Sequence, residues 1–106
     1  MNPEIAGMRI SRSIRSVEDG MDELIALSGE LLAEVARARV ATENEAHEGQ
    51  RPLTRVANMH KSLMEARSEL VRAHSDLSKL AVRMDIPYQC PKHAMLDGDD
   101  VERAVA

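Results

Sequence analysis

The sequence predicts an all-α fold: an antiparallel two-helix hairpin of coiled-coil character with a short C-terminal tail, pairing into a four-helix bundle. Three observations carry this expectation. Apolar residues step by three and four along two long stretches, a repeat of 3.5 that fits helices and excludes strands. A glycine followed closely by a proline interrupts the pattern once, near the middle of the chain. The two stretches also carry opposite charge bias, as an antiparallel pair requires.

The first helix is expected from about residue 3 to about residue 46. Its ladder is Ile10, Ile14, Val17, Met21, Leu24, Ser28, Leu31, Val35, Ala38 and Thr42, with only Ser28 and Thr42 polar. Gly20 and Gly29 interrupt helix-favouring sequence, each costing about 1 kcal/mol relative to alanine. Ser16 with Asp19 resembles a capping box and marks a candidate break between Ser16 and Gly20. The ladder passes through in phase, so one continuous helix is the expectation.

The turn is expected at about 47–51, on Glu48-Gly49-Gln50-Arg51, because glycine ends helices and Pro52 suits the first turn of the next. The second helix then runs from about 52 to about 85. Its ladder is Val56, Met59, Leu63, Ala66, Leu70, Ala73, Leu77, Leu80 and Met84, all apolar. Pro87 stops it, since proline disfavours helical backbone at Ile86. Residues 86–106 form the tail, with Asp99 and Glu102 placed to cap a short helix at about 100–105.

Charge supports this pairing. Residues 17–34 hold six acids (Glu18, Asp19, Asp22, Glu23, Glu30, Glu34) and no base. Residues 52–84 hold six bases (Arg55, Lys61, Arg67, Arg72, Lys79, Arg83) against three acids. Folding about Gly49 lays the acidic block beside the Arg67 to Lys79 stretch.

The chain has 106 residues, which bounds it to one small domain. A hydrophobic fraction of 43% and a charged fraction of 30% exclude a disordered tail and a collagen-like fibre. Tyr88 is the sole aromatic residue, so any core is aliphatic. No apolar run approaches the roughly 20 residues that cross a bilayer, so no membrane partner is expected. Cys90 is the one cysteine, and Met1-Asn2-Pro3-Glu4 does not lead from bases into an apolar run. A cytoplasmic location in a reducing compartment is the expectation.

Two helices of roughly 50–65 Å make a thin hairpin. Their apolar flanks are broader than one pairing needs, because Ile25, Leu27, Leu32, Leu53, Met64 and Val71 lie beside the ladders. A second helical surface is expected to cover them: another copy of the chain, giving a homodimer, or a different helical partner protein. The residues assigned to that protein interface are Val17, Met21, Leu24, Ile25, Leu31, Leu32, Leu63, Met64, Leu70, Val71 and Leu77.

No catalytic or cofactor-binding residue is assigned. The chain lacks the glycine loops that cradle phosphates, a serine nucleophile elbow and an H-E-x-x-H pair. His60, Arg67 and His74 recur every seven residues beside the second ladder. They are read as a solvated flank of the coiled coil, placed to pair with acids of the first helix or with their symmetry mates, with a pH-sensitive interface as the sharper alternative. Cys90 and His93 have zinc-like spacing but lack a second pair, so no metal site is assigned. Arg9, Arg12 and Arg15 step by three and form a basic patch. They are expected to meet Asp85 or the acidic tail. The alternative function is a dimeric nucleic-acid-associated regulator in which these arginines touch phosphate. The leading expectation is a non-enzymatic helical interaction or structural module.

Overall fold

The computed structural model describes residues 2–42 and 46–86. Two helices account for nearly all of them: α1, Pro3–Thr42, and α2, Ala46–Arg83. They pack against each other as an all-helical hairpin. Leu53 and the expected ladder from Val56 to Leu80 fall within α2, while Met84 lies just past its end. Tyr88, Cys90, His93 and the expected short helix at 100–105 lie outside the described residues.

α1 begins on a side-chain cap. The Glu4 N–H donates to Asn2 Oδ1 at 2.8 Å, and the Ala6 N–H donates to the Asn2 carbonyl at 3.0 Å. Pro3 takes the first helical position, where a missing N–H removes no intrahelical bond. The helix then runs unbroken through Ser16, Gly20 and Gly29. Gly20 is under no steric demand, since nothing lies within 4 Å of where a Cβ would sit.

The start of α2 corrects the expected turn at 47–51. The helix begins at Ala46, not Pro52, so Gly49 is helical and the connection falls at 43–45, outside the described residues. The reason is a clamp between the end of α1 and the first turns of α2. Arg39 Nη1 donates to Gln50 Oε1 at 2.7 Å, and the Arg39 side chain lies across Gly49, 3.0 Å from the position of an added Cβ. Gly49 serves close approach here rather than a left-handed turn; no described glycine has positive φ. Pro52 sits inside the helix and removes the N–H that would reach the Glu48 carbonyl, a loss confined to an exposed early turn.

α2 ends in a Schellman closure. The Ile86 N–H donates to the Ala81 carbonyl at 2.9 Å and the Asp85 N–H to the Val82 carbonyl at 3.2 Å. Asp85 supplies the left-handed residue with φ of 53°, a conformation aspartate tolerates better than most side chains. The helix therefore stops just before the proline that the sequence marks as its limit.

Contacts divide the chain into two units. One joins Met1–Asp19 with Ser68–Ala106, and the other is Gly20–Arg67. In the first unit Ile14 and Ala81 are the buried apolar residues, with Ser11 and Glu18 buried beside them. In the second the only buried residue among those described is polar, Ser28. No large side chain among the described residues is fully buried in either. The hairpin alone thus removes little apolar surface from water.

Candidate interaction surface

Successive helix residues are 100° apart, so residues three and four away from a central position flank it on either side. On α1 the central positions are Ile14, Met21, Ser28 and Val35. On α2 they are Val56, Leu63, Leu70 and Leu77. All are buried or half-buried. The two flanks of this centre differ in chemistry.

One flank faces the neighbouring helix and is mixed: Ser11, Glu18, Arg39, His60, Arg67 and His74 share it with the apolar Ile25, Leu32, Leu53 and Ala81. In the unit Gly20–Arg67, Arg67 Nε donates to Asp22 Oδ1 at 2.8 Å, with Nη2 3.5 Å from Oδ2. Farther along, Ser28 Oγ and His60 Nδ1 are hydrogen-bonded. The Ser28 hydroxyl donates to the Ile25 carbonyl at 2.9 Å, so its lone pair is what accepts from the His60 Nδ1–H. Gly29 lies against the imidazole, where an added Cβ would make ordinary contact with His60 Cε1 at 3.5 Å. As α1 numbers fall from Arg39 to Ser28 to Asp22, their α2 partners rise from Gln50 to His60 to Arg67, which is antiparallel pairing. In the other unit, His74 Nδ1 lies 3.4 Å from the buried Glu18 Oε1.

Two members of the stripe meet acids of the first helix, Arg67 with Asp22 and His74 with Glu18, while His60 meets the Ser28 hydroxyl; the stripe lies at the helix–helix contact itself, not on a solvated flank. The acidic block does lie beside the Arg67 stretch, but about a pivot near residue 45 rather than Gly49. A pivot at 49 would have set Asp22 against Asp76, like charge on like.

The other flank is apolar and uncovered. In the unit Gly20–Arg67 it comprises Leu24 and Leu31 on α1, 47% and 46% exposed, with Met59 and Ala66 on α2. In the other unit it comprises Ile10 and Val17, with Ala73 and Leu80. Because the helices run in opposite senses, these outer flanks fall on the same side of the pair within each unit. This corrects the ladder read from sequence. Ile10, Val17, Leu24 and Leu31, with Met59, Ala66, Ala73 and Leu80, do not face the neighbouring helix of their own chain. Two helices bring only two of three adjacent positions into contact, and the charge and hydrogen-bond pairs select the mixed flank.

Among residues assigned to a protein interface, Val17, Leu24, Leu31 and Met64 are exposed. Met21, Ile25, Leu32, Leu63, Leu70, Val71 and Leu77 are half-buried. Leu27, beside the stripe, is also exposed. The residues that sequence reasoning under-weighted are Ser11, Glu18 and Ser28, polar side chains at packing positions. Their signal was heptad spacing itself, which Ser11 and Glu18 share with Ile25 and Leu32, and Ser28 with Ile14, Met21 and Val35.

Arg9, Arg12 and Arg15 are exposed and pair with no carboxylate among the described residues, Asp85 included. Steps of three move by 60° each, so the trio winds around the outside of α1. Among the described residues no three His, Cys, Asp or Glu side chains gather as metal ligands, and no helix is long and apolar enough to cross a membrane. No family model, no curated protein and no solved structure matches the chain.

Proposed function

We propose that the protein is a non-enzymatic helical association module whose working surface is the uncovered apolar flank. The observation that supports this most is the division of labour between flanks. Polar pairs hold the two helices of one chain together, while Ile10, Val17, Leu24 and Leu31, with Met59 and Leu80, are left to water.

Burying one Leu, Ile, Val or Met fully is worth about 1.5–3 kcal/mol. The central residues Leu63, Leu70 and Leu77 are half-buried and gain as well when a further layer covers them. A helical surface of matching repeat supplies that layer, and a second copy of the chain is the simplest one. The mass of the purified chain in solution tests this. Self-association predicts a dimer or a multiple of it at micromolar concentration; a folded monomer at high concentration would refute it.

A further inference from the structure

Granting the self-association proposed above, we infer that α1 of one copy lies antiparallel against α2 of the other, not against its own counterpart. Two face-to-face arrangements bury the outer flanks. In one, α1 meets the partner's α2; in the other, each helix meets its own copy.

Charge separates them. Between residues 17 and 34, α1 carries six acids and no base, so setting it against itself brings acid to acid. Between 52 and 84, α2 carries twice as many bases as acids. The positions just outside the stripe sharpen the choice. Glu34 and Arg55 are both exposed there. With the register that already sets Ser28 by His60 and Asp22 by Arg67, Glu34 comes beside the partner's Arg55. If α2 instead meets its own copy, with Met59 beside the partner's Leu80, then Arg55 adjoins the partner's Arg83 and Glu69 adjoins the partner's Glu69. Like charges so placed are repulsive.

Side-chain volume agrees. In the favoured arrangement, with the register of the unit Gly20–Arg67, Leu24 lies opposite the partner's Ala66, large against small, and Leu31 opposite the partner's Met59. The alternative sets Ala66 against the partner's Ala73, which leaves a gap, and crowds Val17 with the partner's Leu24. Alternating large and small residues is how facing helices interdigitate.

Disulfide trapping tests this in a Cys90→Ser background, with dimer mass and helix content checked first. Leu31→Cys chains are mixed with Met59→Cys chains and mildly oxidised; a cross-linked heterodimer is expected as the main covalent product. A mixture of Met59→Cys and Leu80→Cys chains should stay unlinked. The opposite pattern, or a dimer that yields neither link, overturns the pairing and leaves self-association standing. Monomeric chains overturn both. Charge exchange gives a second readout that needs no new cysteine. Glu34→Arg should weaken the dimer about 3- to 10-fold, and adding Arg55→Glu to the same chain should restore it. Failure to restore counts against the pairing.

Discussion

Both flanks of each helix repeat every seven residues, yet they hold different chemistry. The inner flank, with Glu18, Arg67, His60 and His74, meets the neighbouring helix through ion pairs and hydrogen bonds. The outer flank, with Leu24, Leu31 and Met59, leaves nearly half of each side chain exposed. The Asp22–Arg67 pair gives orientation more than stability, because an ion pair with a largely exposed carboxylate is worth about 0.2–1 kcal/mol. Apolar burial gives stability with little orientation. The chain has placed the orienting contacts inside the hairpin and kept the stabilising surface outside it.

Breaking the outer flank should have the largest effect. Leu24→Asp puts a charge at the centre of the stripe, which association would have to bury unpaired. Dimer affinity should fall by at least about 100-fold, near 3 kcal/mol, read by sedimentation. An unchanged mass would break the contrast between flanks.

The inner flank should respond through stability. Ser28→Ala deletes the acceptor of the His60 Nδ1–H in a buried position, at a cost of about 1 kcal/mol in denaturant unfolding. Gly20→Ala should move stability the other way by about 1 kcal/mol, because the added methyl meets nothing and helix propensity rises. A loss there would mean that the position beside the stripe is already occupied by a neighbour. The smallest effect belongs to Asp22 and Arg67. A double-mutant cycle should give a coupling of about 0.2–1 kcal/mol, since the carboxylate is largely exposed. A null coupling would shift the orienting role to Ser28–His60 and Glu18–His74.

Much of this fold was legible from residues. The two helices, their antiparallel sense and the pairing of Arg67 and His74 with acids follow from repeat and charge. The rotation of the contact was not, because an apolar ladder maximises hydrophobicity and so selects the outer flank. Ser28 is the instructive case: it looks like a flaw in the ladder, and it is the most buried residue in its unit. The turn was missed for a similar reason. Gly49 and Pro52 carry the local signature of a break, but the Arg39 contacts to Gly49 and Gln50 are long-range and cannot be read from neighbours in sequence. Asp85 carries no signal for a left-handed end beyond the proline two residues on.

The most direct test of self-association is the dependence of the unfolding midpoint on chain concentration. A dimer built on the outer flank predicts a denaturation midpoint that climbs steadily as the chain is concentrated, because folding and association are linked. A midpoint that stays fixed over a hundredfold range of concentration, in a chain that unfolds cooperatively, would show that the exposed stripe needs no cover and would contradict it.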